Sequence, residues 1–164
     1  MLRVVFTVAL AVAVLAVAAP AVEQAGVQRS DTAVGATVER LDTAARELAA
    51  GNPALPPGSD PARQTVTVEF PDGGFASASL RNFSVGPPPD GRDDVDPTAL
   101  GPDATRFTWR VAGGTRHART VDEIRIRPDT TATTRVAGGG EIHFLLELVS
   151  VDGERVVRVS RRNG

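Results

Sequence analysis

"VVFTVALAVAVLAVAAPAV", Val4 to Val22, is nineteen residues without a charge, bounded by Arg3 on one side and Glu23 on the other. As an α-helix at 1.5 Å per residue it would be about 28 Å long, close to the roughly 30 Å hydrocarbon core of a bilayer. That length suits a retained membrane anchor. A cleaved secretory signal is the competing reading, with Arg3 as a short basic n-region and small residues in an A-x-A arrangement at Ala16-Val17-Ala18 or Ala19-Pro20-Ala21. Both readings carry everything beyond residue 22 across the membrane. Positive charge precedes the run, whereas Glu23 and Asp31 offset Arg29 after it, so the positive-inside rule leaves the N-terminus cytoplasmic.

The segment that follows favours the anchor. Val27, Val34, Val38, Leu41, Ala45 and Leu48 recur at helical spacing, with Glu39, Arg40, Asp42, Arg46 and Glu47 between them. This predicts an amphipathic helix over residues 23–51, ended by Gly51 with Pro53 beyond. Joined directly to the apolar segment 1–22, it makes one long rod in which Pro20 removes one backbone N–H. The apolar stripe would pack on the sheet of the domain that follows.

Residues 52–61, "NPALPPGSDP", form a proline-rich linker, after which the period changes to two. The remainder, 62–164, reads as a mostly antiparallel β domain, giving an α+β fold. "QTVTVEF" alternates Val66, Val68 and Phe70 with polar residues, and "PDGG" before "FASASL" predicts a hairpin. Residues 84–103 are rich in proline and aspartate and are read as an irregular loop. Arg110-Val111-Ala112-Gly113-Gly114 recurs as Arg135-Val136-Ala137-Gly138-Gly139, and each copy predicts a strand, a glycine turn and a strand. Asp152-Gly153 is a two-residue turn signal joining two strands. Ile142, Phe144, Leu146 and Leu148 on one face, with Leu145, Val149 and Val151 on the other, predict a central strand covered on both sides.

The chain of 164 residues has no cysteine, so disulfides, thiolate metal sites and cysteine nucleophiles are excluded together. Its 18 basic residues are all arginine against 20 acidic ones, with no basic stripe interleaved with aromatics of the kind a nucleic-acid partner requires. Glu141 and His143, two apart on a strand, share a face and are the best candidates for a metal pair or an acid/base couple. A catalytic zinc needs about three protein ligands, and His117 is the only other histidine. "DGRDDVDP" has the oxygen density that calcium favours, but its glycine is out of place for an EF-hand loop. No nucleophile elbow or phosphate loop occurs. The expectation is no catalytic, cofactor-binding or metal residue and no cofactor. Asn82-Phe83-Ser84 is a glycosylation sequon, which makes Asn82 a modification candidate if the domain is exported.

The order of apolar helix, amphipathic continuation and small β domain resembles the architecture of type IV pilins. With its "MLRVVFTVALAVAVLAVAAPAV" start and lysine-free composition, the chain is also similar to an uncharacterised haloarchaeal family of small membrane-anchored proteins encoded beside type IV pilus assembly genes. The resemblance implies a single-pass cell-membrane protein with an extracytoplasmic head and pilus or envelope assembly proteins as partners of the N-terminal helix. The apolar run follows Met1-Leu2-Arg3 without the glycine or alanine that a prepilin peptidase substrate carries there. An accessory or minor subunit fits this better than the main building block of a filament. The alternative is an envelope- or glycan-binding module, anchored or secreted after cleavage, that uses the 84–103 loop.

Overall fold

The computed structural model describes residues 2–56, 58–74, 76–86, 104–128 and 134–162. It has the α+β layout expected from the sequence: one long N-terminal helix, then two largely antiparallel sheets. Helix α1 runs unbroken from Leu2 to Gly51 with Pro20 inside it. Over 50 residues its length is about 75 Å, which is more than one bilayer or one small domain can cover. The apolar and amphipathic segments are therefore two stretches of one rod.

One sheet has the order β1 (Ala62–Phe70), β7 (Gly140–Val151), β8 (Glu154–Arg162), β5 (Arg125–Pro128); the other has the order β4 (Arg116–Val121), β3 (Thr105–Val111), β2 (Leu80–Val85), β6 (Thr134–Val136). Between the named strands the described pairings are antiparallel except β5 with β8. The sheets meet through four phenylalanines. Phe70 and Phe144 come from the first sheet, Phe83 and Phe107 from the second, and the centroid of Phe83 lies 4.9 Å from Phe70, 6.1 Å from Phe144 and 6.2 Å from Phe107. Tilted rings at such distances pack well in an interior, so these contacts join the layers without a disulfide.

The last third of α1 completes this core. Val34, Val38, Leu41, Ala45 and Leu48 are buried together with residues of both sheets, and the helix touches β1, β7 and β8 on one side and β3 on the other. The stripe predicted from spacing is thus the stripe that is buried, and Val27 packs half-buried at its edge. Asp42 departs from its expected place among the solvated residues, since it is only 3% exposed. Arg46, one turn later, compensates: its Nε donates to Asp42 Oδ1 at 3.1 Å, its Nη2 donates to Oδ2, and its Nη1 reaches Glu123 at 2.8 Å. A carboxylate can stay buried when such a fork satisfies its lone pairs.

The linker 52–61 ties the helix to the sheet. Asn52 Nδ2 donates to Leu48 O at 2.9 Å, Arg155 of β8 donates to the carbonyls of Ala49 and Asn52, and Leu55 O accepts from Ser150 N at 2.8 Å. The bonds to Leu48 O and Ala49 O cap the carbonyl end of the helix, where the intrahelical donors have run out, and the other two fix the linker to the sheet.

Three local expectations need correction. "PDGG" does not close a hairpin: β1 pairs with β7, while the chain beyond the turn passes into the other sheet as β2, tied by Leu80 N donating to Pro71 O at 2.9 Å. The two Arg-Val-Ala-Gly-Gly copies also differ. The first closes the β3–β4 hairpin, whereas the second carries the chain from β6 in one sheet to β7 in the other. The expected irregular loop starts too early, because Ser84 and Val85 belong to β2; residues 87–103 lie outside the described residues. The β7–β8 hairpin turns at Asp152 and Gly153, both at positive φ (54° and 83°), which is the geometry the dipeptide predicts. Strand β7 is central: Ile142, Phe144, Leu146 and Leu148 are buried on its even-numbered face, and on the other face Val149 is buried beside Leu55 of the linker. His143, Leu145 and Glu147 on that face are half-buried among the polar neighbours Arg63, Thr67, Arg158 and Ser160. The second face is thus covered at its Val149 end and open toward His143.

Candidate functional site

The strand directions give the head two distinct ends. Near the C-terminal end of α1 lie the linker and the β7–β8 turn; near residues 20–31, where α1 leaves the head, lie the segment 71–78 and the β3–β4 turn. At this exit end the helix is held by side chains rather than by its apolar stripe. Ser30 Oγ accepts from Ala78 N at 2.9 Å, and Arg29 Nη1 donates to Ala76 O at 3.1 Å. Gly113 and Gly114 let the β3–β4 turn approach Val27: a Cβ on Gly114 would meet a Val27 methyl at 3.2 Å. Asp31 Oδ2 lies 3.1 Å from His117 Nε2 on β4, and the His117 ring stacks on Trp109 with centroids 5.5 Å apart and planes 16° apart. Farther along, Arg119 Nη1 donates to Glu39 Oε1 at 2.9 Å.

Between helix and turns a hollow of about 680 Å³ opens, lined mainly by small and apolar groups such as Pro20, Val22, Gly26 and Ala112, with Asp31 and His117 on its wall. It contains an aspartate and a histidine in contact, yet the geometry is not that of a catalytic relay. In such a relay the carboxylate and the nucleophile engage opposite ring nitrogens. Here Asp31 Oδ2 and Thr115 Oγ1, at 3.1 and 3.5 Å, both face Nε2. The pair joins helix to sheet.

The residues singled out by sequence are placed elsewhere. Glu141 and His143 do share a face of β7, with Glu141 Oε1 3.5 Å from His143 Nε2, and Thr67 Oγ1 lies 2.9 Å from His143 Nδ1. They sit on the outer, partly exposed face of the first sheet, remote from His117. Among the described residues no group of three or more His, Cys, Asp or Glu is placed to hold a metal ion. The aspartates of "DGRDDVDP" lie outside the described residues, as does most of the loop on which a glycan-binding reading rests. Asn82 is on β2 opposite Arg110, half-buried, with Oδ1 buried and without a hydrogen-bond partner. Its place is a strand bordering a second hollow.

Sequence reading missed that second hollow. About 480 Å³ in volume, it lies on the far side of the β3–β4 turn and is lined by Arg81, Asn82, Arg110 and Arg116 with residues 111–113. Arg110 and Arg116 face each other as the last pair of the β3–β4 ladder, and Arg81 joins them from β2. The pairing of Arg110 with Arg116 was available from the glycine turn midway between them, but the approach of Arg81 depends on the sheet.

A helix too long for its head, bare and apolar over its first part and built into a two-sheet core over its last, defines a helix-stalked β-sandwich. Residues 1–162 match the domain of unknown function DUF7311, and the chain belongs to that family. No curated protein and no solved structure matches it.

Proposed function

We propose that this is a non-enzymatic, single-pass membrane protein whose β head stands outside the cytoplasm and which serves as an accessory or minor subunit of a pilus-like surface assembly. One observation carries the reading. α1 is long and apolar enough to cross a membrane, and the apolar window is not buried against the head at all: Phe6 is 73% and Val17 79% exposed. In water such a surface would be an aggregation hazard, since soluble monomers rarely expose contiguous apolar patches of that extent. In lipid it is the surface a spanning helix needs, with its backbone bonds satisfied internally.

Lateral association supplies the assembly role. Ala9, Ala11, Ala13, Ala16 and Ala18 are exposed along the apolar stretch, and small residues let spanning helices approach closely. Because α1 is continuous into the core, a partner gripping the stalk also fixes the head. Cysteines introduced singly at these alanines should crosslink to a defined partner in native membranes, on one helical face and not the other. A chain that stays monomeric at all five positions contradicts the assembly role.

A further inference from the structure

Arg81 of β2 and the facing pair Arg110 and Arg116 of the β3–β4 hairpin line the hollow beside the turn, and no carboxylate lines it among the described residues. The turn that forms its rim packs on Val27, five residues past the end of the apolar run at Val22. Five helical residues are about 8 Å. With a hydrocarbon core of about 30 Å in a bilayer of about 40–45 Å, the headgroup layer on each side is roughly 5–8 Å deep. A spanning α1 therefore holds Arg81, Arg110 and Arg116 at the outer margin of the headgroups.

We infer that this arginine-lined hollow is a docking surface for the phosphates of anionic lipids in the same bilayer that holds the helix. The inference rests on the anchor reading above. Guanidinium groups are suited to it, because their planar forks bind phosphate oxygens in bidentate fashion and carry charge at every physiological pH. Arg81 and Arg110 are exposed, and Arg110 Nε donates to Gly114 O at 3.1 Å, which holds the side chain against the turn. The nearest carboxylates on the helix, Glu23 and Asp31, lie on the other side of the turn, and Asp31 is engaged by His117. Charge thus favours the flank of the second sheet as the side on which the head leans. A glycan on Asn82 would occupy the same hollow, so modification there and docking exclude one another.

The test uses the full chain, whose lack of cysteine allows single labels. Thr115→Cys places a fluorophore at the exit-end turn, and Ser59→Cys places one on the linker at the opposite end. Each labelled protein is reconstituted into vesicles of phosphatidylcholine alone or with phosphatidylglycerol, both carrying a headgroup-attached nitroxide quencher, and floated after a high-salt wash. The Thr115 label should be quenched more strongly in the anionic vesicles than in the neutral ones, and the Ser59 label in neither. Each arginine near an anionic surface shifts the ratio of docked to undocked heads about fivefold, so replacing Arg81 and Arg110 by glutamine should lower it about twenty-five-fold. On the unsubstituted head, raising salt to about 1 M should abolish the difference between vesicles, because the screening length falls to about 3 Å. Flotation with quenching that ignores lipid charge, salt and the arginines overturns the docking surface and leaves the anchor standing. Failure to float overturns both.

Discussion

Leu41→Asp is expected to unfold the head while leaving the apolar stretch of α1 able to enter a membrane. Leu41 is 1% exposed in a core shared by the helix and both sheets. Truncation to alanine would by itself cost about 2–5 kcal/mol for lost burial and the cavity left behind. A carboxylate adds its own desolvation, and unlike Asp42 it would have no arginine fork in reach, so the total is on the order of 5 kcal/mol or more, comparable with the whole stability of a small domain. The chain's single tryptophan, Trp109, is buried and stacked on His117, and reports the transition directly. Denaturant titration of the detergent-solubilised protein should show the Trp109 transition lost or moved to much lower denaturant. An unchanged midpoint would mean that residues 34–49 are a detachable spacer.

Gly139→Ala should be the most damaging of the glycine substitutions, and for a steric reason. A Cβ at this position would run into the backbone of Pro71 and Asp72, and backbone cannot turn aside as a side-chain tip can. The two segments are the crossings between sheets, one leaving β1 and the other entering β7, so relief would require parting the chain where the sandwich is joined. Overpacking of this kind costs about 1–3 kcal/mol and sometimes more, which lowers the thermal midpoint by several degrees, on the order of 10 °C at the upper end. At the neighbouring Gly138 an added Cβ meets nothing within 4 Å, but φ is +84°, so alanine there carries only the smaller backbone penalty. Thermal melts of the two variants should rank Gly139→Ala well below Gly138→Ala; equal melting would show that the crossings are not packed this closely.

Features written in one stretch of chain were legible in sequence. The stripe from Val34 to Leu48 and the Asp152-Gly153 turn are local, and a helical period or a pair of positive φ angles announces them. What could not be read is which strand lies beside which. "PDGG" and the second Arg-Val-Ala-Gly-Gly have the chemistry of a hairpin turn, but a turn that arches between two sheets asks for the same residues. The choice is made by Phe70, Phe83 and Phe144 packing across the layers. Asp42 reads from sequence as part of the polar face, because its polarity is visible there and its pairing with Arg46 is not. The helix-to-sheet contact of Asp31 with His117 spans 86 positions, and the hollow of Arg81, Arg110 and Arg116 needs β2 beside β3; neither has a sequence spacing to betray it.

The proposed anchor and the proposed lipid docking both depend on α1 persisting as one helix from bilayer to core in the mature protein. The most direct measurement is the intact mass of the protein extracted from its native membrane, together with its partition after a high-salt wash. Salt screens electrostatic attachment but does not expel a spanning helix. The account predicts a mass that still includes Val4 to Val22, in the membrane fraction. A mature chain beginning at Ala19 or Val22, free in the surrounding medium, would contradict it and make the same head a secreted module.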